Sequence, residues 1–131
     1  MKNQKFWPKA EPIPEDEAQA MATAVIALFD RWNLSLEQRS NVLGGIQQTT
    51  LDCWRRGEFE PIEQDLAIRL SLLMGIHKDL RTLFIEEDRA YAWVSTPNSD
   101  FDERPPLDSI TERDFSGLYR LRSYLDTAIH A

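Results

Sequence analysis

The stretch SLEQRSNVLGGIQQTTLDCWRRG, from Ser35 to Gly57, predicts two short helices joined by a tight turn. Ser35 with Gln38 three positions later has the form of a capping box, which marks the start of the first helix. The neighbouring residues Gly44 and Gly45 end that helix, because glycine is common just beyond a helix carboxyl terminus.

The second helix of this stretch is predicted from about Gln48 to Arg56. Leu51 and Trp54 are three positions apart and therefore share a face that points inward. Gly57 supplies the stop. Two short helices with a glycine-containing turn are typical of a helix-turn-helix, although a compact core of three helices with a solvated polar face has the same pattern.

In a helix-turn-helix, the amino end of the second helix reads bases, and glutamine can pair with adenine there. The candidates for contact with DNA bases or phosphates are Gln47, Gln48, Thr49 and Thr50. The candidates for contact with phosphates alone are Arg55 and Arg56.

The net charge of −7 opposes general attraction to nucleic acid. The charge is unevenly spread, because residues 31–59 contain four basic and three acidic residues, whereas residues 60–131 contain eight basic and fourteen acidic ones. The second half would repel phosphates and suits a basic partner.

The remaining chain also shows helical periodicity, so the predicted fold class is all-α. Pro14 and the acids after it start an amphipathic helix. Pro61 is expected to open a later helix that Gly75 weakens or breaks before His77, and another short helix runs from Glu87 to Val94. The apolar spacing of Leu118, Leu121, Leu125, Ala128 and Ile129 predicts a last helix that runs to the chain end, with the three leucines in the core.

These segments divide the chain into an arm at residues 1–13, a helix-turn-helix domain at 14–59 and a second helical domain at 60–131. The arm carries Lys2, Lys5 and Lys9, and we expect it to be mobile. Residues 96–106 are predicted to form a loop, because three prolines lie among eleven residues.

Enzymatic chemistry is not expected from this composition. The chain has one cysteine, Cys53, two histidines and no phosphate-binding loop, so no catalytic residue, metal site or cofactor is predicted. The acidic residues near 100–108 lack the spacing of a calcium loop. No run approaches the roughly 20 apolar residues of a membrane span, so we expect a cytoplasmic protein with no membrane partner.

Several motifs in the second half occur in a recognisable order. These are RLSLLM at 69–74, GIHKDLRTLF at 75–84, RAYAWVSTPN at 89–98, PPLD at 105–108 and GLYRLRSYLD at 117–126. The succession resembles the carboxy-terminal toxin-binding domain of the Xre/MbcA/ParS antitoxins. The stretch from Leu43 to Gly57 resembles the Xre-like helix-turn-helix of the same family, although Gln47 stands where relatives often carry a serine cap.

The resemblance implies an antitoxin of a type II toxin–antitoxin system. Its partner would be a RES-domain toxin that consumes NAD or transfers ADP-ribose from it, and operator DNA would be a second partner. The family buries carboxy-terminal parts against the toxin's active-site cleft. The residues that this implies as toxin contacts are Thr96, Pro97, Asn98, Pro105, Pro106, Ile129, His130 and Ala131.

The resemblance also leaves room for a homodimer within a toxin–antitoxin hetero-oligomer. Two other functions fit the residues alone. A stand-alone helix-turn-helix repressor would use the lysines of the arm on DNA. A structural scaffold would fit the acidic helical surface but not the ordered motifs.

Overall fold

The computed structural model describes residues 11–113 and 115–131, and these contain six α-helices. The helices are α1 (Glu15–Arg31), α2 (Leu36–Val42), α3 (Gln48–Arg55), α4 (Gln64–Leu83), α5 (Glu87–Ala92) and α6 (Phe115–Ile129). Short 3₁₀ turns lie at Trp93–Ser95, Ser99–Phe101 and Pro106–Ser109. No strand occurs in this part of the chain beyond one isolated bridge between Asn98 and Arg104, so the all-α prediction is confirmed.

Helix α4 is the centre of the fold, because it packs against α1, α5 and α6. Its buried face carries Leu70, Leu73 and Ile76, none of which is accessible to solvent. Helix α1 also packs against α3, so the helical pair α2–α3 and the second half of the chain share one continuous core. Leu118, Leu121 and Leu125 of α6 are buried as predicted, whereas Ala128 is exposed.

Two predictions about α4 are wrong. The helix begins at Gln64, not at Pro61, because the preceding segment is held extended against α1. The Ile62 N–H donates to the Glu15 carboxylate at 3.2 Å, and the Ile62 side chain is buried. The helix also runs unbroken through Gly75, which places His77 inside the helix and not at a junction.

Gly75 does not break α4 but allows α4 and α6 to approach each other closely. It is buried where α4 meets α6, and a side chain at this position would overlap the Arg122 guanidinium. The cost of a glycine inside a helix, about 1 kcal/mol relative to alanine, is offset by this approach.

Most of the predicted arm lies outside the described residues, including Lys2, Lys5 and Lys9. At its inner end, Ile13 is fixed by two hydrogen bonds to Gln64 of α4. The Ile13 N–H donates to the side-chain oxygen at 3.0 Å, and the side-chain nitrogen donates to the Ile13 carbonyl at 3.3 Å. None of the described helices combines the length and the apolar character needed to cross a bilayer.

Candidate partner-binding surfaces

The turn between α2 and α3 is built as its sequence predicts. The Ser35 N–H donates to Gln38 Oε1 at 2.8 Å, and the Gln38 N–H donates to Ser35 Oγ at 3.1 Å, which completes the capping box. Gly44 and Gly45 have φ of 85° and 93°, a left-handed conformation that favours glycine. The Ser40 hydroxyl donates to the Ile46 carbonyl at 2.6 Å and holds the turn closed.

The predicted base-contacting residues meet at the start of α3. Gln47, Gln48 and Thr49 are exposed, and Thr50 is half-buried. Gln47 occupies the N-cap position, but its side chain accepts no hydrogen bond from the backbone N–H groups of the first turn of α3. This end of α3 is therefore a polar surface open to a partner.

The two arginines predicted to contact phosphates are already paired with carboxylates. Arg55 donates two hydrogen bonds to Asp30, at 3.1 and 3.2 Å, and Arg39 donates a third to the same carboxylate at 2.8 Å. The hydrogen bond from Arg55 is the main cause that lowers the pKa of Asp30. Arg56 lies 3.3 Å from Glu58. These pairs reduce the positive field that α3 presents.

A second surface lies on the outer side of α6, opposite its buried leucines. It is a shallow groove of about 660 Å³, and its lining is mainly apolar. The residues that line it are Tyr119, Arg120, Ser123, Tyr124, Thr127, Ala128 and Ala131. The lining includes one arginine and no acidic side chain, which distinguishes this face from the acidic second half as a whole.

A small charged cluster links α6 to α4. Arg122 Nε lies 3.3 Å from Asp79 Oδ2 and 3.0 Å from Asp126 Oδ1. Asp79 is only 5% exposed, and burial together with the neighbouring Asp126 carboxylate raises its pKa to about 6. The neighbouring Asp79 carboxyl group lowers the pKa of Asp126, and Arg122 acts in the same direction.

Tyr124 joins the α6 groove to the loop that was predicted to contact the toxin. Its hydroxyl donates to Asp100 Oδ2 at 2.6 Å, and this hydrogen bond raises the pKa of Tyr124. Its ring lies 5.1 Å from Phe101 and 6.1 Å from Trp93 between ring centres. The loop is closed on itself by the Asn98 N–H, which donates to the Arg104 carbonyl at 3.2 Å.

The residues implied as toxin contacts have different environments. Thr96 and Pro97 are exposed, Asn98 and Pro105 are half-buried, and Pro106 is buried at the start of a 3₁₀ turn, where it packs inward. At the chain end, Ile129 is half-buried and His130 and Ala131 are exposed. Pro106 thus packs inward in this chain, and Ala131 is the one member that lines the α6 groove.

Sequence reasoning missed most of the α6 groove. Tyr119, Ser123 and Thr127 recur every four residues, which puts them on one side of the helix. The buried leucines of α6 form a second stripe on the opposite side, so residues recur at helical spacing on two faces of this helix. This second period was the signal that could have identified the groove.

A comparison with known proteins finds a match to a described domain in the second half of the chain. Residues 79–128 match the model of the antitoxin Xre/MbcA/ParS C-terminal toxin-binding domain. The uncharacterized protein y4oB of Sinorhizobium fredii (strain NBRC 101917 / NGR234) is 35% identical over 123 residues, which are 88% of this chain and 95% of the relative.

A solved structure has the same fold. A chain of the crystal structure of the M. tuberculosis MbcT–MbcA toxin–antitoxin complex superposes with a TM-score of 0.56 at 22% identity, over 83% of this chain and 93% of that chain. The family model and the ordered motifs agree on the second half, and the structural neighbour agrees on the all-helical fold. The chain belongs to the Xre/MbcA/ParS antitoxin family and carries that family's toxin-binding domain.

Proposed function

We propose that this antitoxin neutralises a RES-domain toxin by covering the toxin's NAD-binding cleft with the α6 groove and the residues that follow it. The proposal rests on the ordered motifs of residues 69–126 and on the solved MbcT–MbcA complex, in which a protein of this fold occurs together with a toxin. We further propose that it acts in the cytoplasm, where NAD and a type II toxin meet.

The open apolar face of α6 is the observation that carries this proposal. Helix α6 lies, up to Ala128, within the matched toxin-binding domain, and its leucine side is already used for the core. Tyr119 is a large aromatic residue that remains 46% exposed on the other side. Aromatic residues are enriched in the centres of protein interfaces, which makes this face the best docking surface in the domain.

The negative charge of the second half of the chain also supports docking on the toxin's NAD-binding cleft. The second half of the chain carries fourteen acidic and eight basic residues. A cleft that holds the pyrophosphate of NAD needs basic or polar groups, so long-range attraction would guide the acidic domain towards it. The α6 face, whose lining has no acidic side chain, would then meet the toxin without burying unpaired carboxylates.

A matched pair of alanine-to-arginine substitutions tests the docking surface. Ala128→Arg puts a charge into the α6 groove, whereas Ala20→Arg puts the same charge at an exposed position of α1. Each variant would be co-expressed with the toxin, and growth, cellular NAD and co-purification of the two chains would be measured.

We expect Ala128→Arg to lose neutralisation and co-purification, while Ala20→Arg behaves like the unsubstituted chain. Both variants should melt as the unsubstituted chain does, because neither alanine is buried. Full neutralisation by Ala128→Arg at equal protein levels would refute the α6 groove as the toxin-binding surface. If the toxin arrests growth without changing cellular NAD, the proposed RES activity of the toxin would be refuted, but the proposed interface would not.

A role in repression of its own operon is the second proposal. It is favoured by the completed capping box and by the exposed side chains of Gln48 and Thr49 at the amino end of α3. The continuous core lets one chain hold both surfaces rigidly. Binding of two copies to a palindromic operator would require a homodimer, and the mass of the toxin-free protein in solution would establish whether one forms.

A further inference from the structure

The turn between α2 and α3 is held by an arginine from the second half of the chain. Arg69 of α4 is half-buried, and its guanidinium donates to the Val42 carbonyl at 3.2 Å and to the Arg113 carbonyl at 2.7 Å. Gly44 lies against the same guanidinium, because a Cβ atom at position 44 would be 3.0 Å from Arg69 Cζ. Arg69 therefore joins the end of α2 to the segment that precedes α6.

The hydrogen bond from Arg69 completes the carboxyl end of α2. The last carbonyl groups of a helix have no partner within the helix and need one elsewhere. The N–H groups of residues 43–45 supply partners for the carbonyls of Arg39, Ser40 and Asn41. The Val42 carbonyl is bound by Arg69, which lies 27 positions later along the chain. This end of α2 is thus completed by the second half of the chain.

A second arginine makes a similar contact on the neighbouring glycine. Arg113 Nε donates to Asn41 Oδ1 at 3.1 Å, and a Cβ atom at Gly45 would be 2.9 Å from Arg113 Cζ. Because the Arg113 carbonyl accepts a hydrogen bond from Arg69, the two arginines form one connected unit. The two glycines leave the space that both guanidinium groups occupy.

These polar contacts can fix a direction that the apolar core leaves loose. Within residues 11–113 and 115–131, α2 packs extensively on neither α4 nor α6. Val42 and Leu43 anchor α2 through their buried side chains, but apolar burial is non-directional. The planar fork of an arginine forms hydrogen bonds of defined direction. Arg69 also lies 5.3 Å from the ring centre of Phe115, the first residue of α6.

We infer that Arg69 and Arg113 form a clamp on the α2–α3 turn that fixes the orientation of the amino end of α3. The exposed residues Gln48 and Thr49 follow this turn directly. Base readout needs aligned hydrogen bonds, so a loosened turn loses base contacts, whereas contacts with phosphates carry no sequence information. Arg69 is therefore a positioning residue for operator recognition, and this last step rests on the proposed repression.

Residual dipolar couplings of the DNA-free chain test the clamp, because they report the orientation of each N–H bond in a common frame. Arg69→Met keeps an apolar stem and removes both hydrogen bonds to the carbonyls of Val42 and Arg113. We expect the couplings of residues 48–51 to depart from the orientation that they have in the unsubstituted chain, while those of α1 and α4 keep theirs. Unchanged couplings over residues 48–51 would overturn the clamp.

Asn41→Ala is a second and milder variant for the same measurement. It removes only the side-chain amide that Arg113 binds, at a half-buried position. The couplings of residues 48–51 should change in the same sense as in Arg69→Met, but by less. This variant decides the question if Arg69→Met does not fold, and a lack of any change in it would then overturn the clamp.

Fluorescence anisotropy on two DNA fragments tests the positioning role. The fragments are the promoter of the chain's own operon and a scrambled sequence of equal length. Arg69→Lys keeps the charge but lacks the planar fork that bridges two carbonyls. We expect both Arg69→Lys and Arg69→Met to bind the promoter about tenfold more weakly, which corresponds to the loss of one base contact. Affinity for the scrambled fragment and the log–log salt slope should not change. Arg81→Lys, the matched change elsewhere on α4, should leave promoter affinity unchanged.

A direct phosphate contact is the alternative role of Arg69, which lines the same surface groove as Gln47 and Thr50. In that case Arg69→Met would lower the salt slope by about 0.9, and Arg69→Lys would retain affinity, which would overturn the positioning role. Equal weakening on both fragments would also overturn it. If the unsubstituted chain does not distinguish the fragments, the proposed repression fails, and the dipolar couplings alone decide the clamp.

Discussion

The guanidinium of Arg122 on α6 fills the space beside Gly75 of α4 that any other side chain at position 75 would occupy. This contact brings Arg122 Nε to 3.3 Å from the buried Asp79 carboxylate. One glycine, one arginine and one aspartate thus meet where α6 packs on the central helix α4. The arrangement has measurable consequences for stability.

Replacing Gly75 by alanine should destabilise the protein at pH 7, although alanine is the better helix former. Displacement of Arg122 leaves the buried Asp79 charge without its partner. Breaking a fully buried pair costs about 3 to 5 kcal/mol, and the cost here should be lower because the Arg122 side chain is 33% exposed. The helix gain of about 1 kcal/mol offsets part of this cost. We expect a net loss of about 1 to 3 kcal/mol in urea denaturation. In an Arg122→Ala background the same change should become stabilising. Stabilisation in the unsubstituted chain would contradict the proposed contact.

Replacing Asp79 by asparagine should raise stability at neutral pH. Burial and the Asp126 carboxylate raise the pKa of Asp79 from 3.8 to about 6, so the folded chain binds an extra proton between these values. The free energy of unfolding therefore falls as pH rises from about 4 to 6. We expect Asp79→Asn to gain about 1 to 3 kcal/mol at pH 7 and nothing at pH 4. An equal difference at both pH values would argue against an ionised Asp79 as the cause.

Burial of His77 near Arg81 and Arg31 should make stability decrease in mild acid. His77 Nε2 lies 2.9 Å from the Tyr91 hydroxyl, and burial, with Arg81 and Arg31 nearby, lowers the pKa of His77 below 6.5. The stabilising contribution of neutral His77 is complete above pH 6.5 and is lost as pH falls through the lower folded pKa. Unfolding of the protein and of His77→Phe at pH 7.5 and 5.5 measures this difference.

Tyr91→Phe is the companion variant for that cluster. It keeps the ring that Arg31 covers at 4.0 Å and removes only the hydroxyl, so a loss of about 1 kcal/mol is expected. NMR titration of His77 in this variant should still show a lowered pKa, because the hydroxyl is not among the causes of the shift. A return to the ordinary histidine pKa would show that Tyr91 controls it.

Operator binding should depend on Arg55 and Arg56 only after they leave their carboxylate partners. If both contact phosphates, the double change to alanine should lower the log–log salt slope by about 0.9 for each contact. Asp30→Asn should strengthen binding, because it releases Arg55. Gel shifts of the promoter fragment over a range of salt concentrations measure both effects. An unchanged slope in the double variant would make these arginines structural.

Removal of the residues after Ala128 should separate folding from toxin neutralisation. The deepest residue near the end of α6 is Leu125, so the shortened chain should keep its helicity and melt nearly as before. Neutralisation should weaken, because Ile129, His130 and the groove residue Ala131 are lost. Leu125→Ala is the contrasting variant, with an expected loss of about 2 to 5 kcal/mol. Full potency of the shortened chain would place the blocking element in the loop at 96–106.

Much of the local structure could be predicted from the sequence because its causes are local. The capping box at Ser35, the two glycines after α2 and the leucine stripe of α6 each act within a few residues. The family was also identifiable, because its motifs recur in order along the chain. The all-helical fold and the family were therefore predicted correctly.

The errors arose where a distant residue decided the outcome. Gly75 was expected to weaken or break a helix, but it accommodates Arg122, which lies 47 positions later along the chain. Pro61 was expected to start a helix, but Glu15 binds the N–H of Ile62 and keeps the segment extended. Arg55, which is predicted to contact phosphates, is hydrogen-bonded to Asp30, and the sequence did not reveal this pairing. Hydrophobic period and helix propensity carry no information about such partners.

The sequence by itself determined which segments form helices and which face of each is apolar, because capping and periodicity depend on neighbours three or four residues away. The tertiary structure alone decided which polar groups are paired and which surfaces stay open. Packing of α6 on α4 buries Asp79 and leaves the Tyr119 side of α6 uncovered, and packing of α1 on α3 pairs Asp30 with Arg55. These outcomes depend on distances between residues far apart in the chain, which folding of the whole core sets.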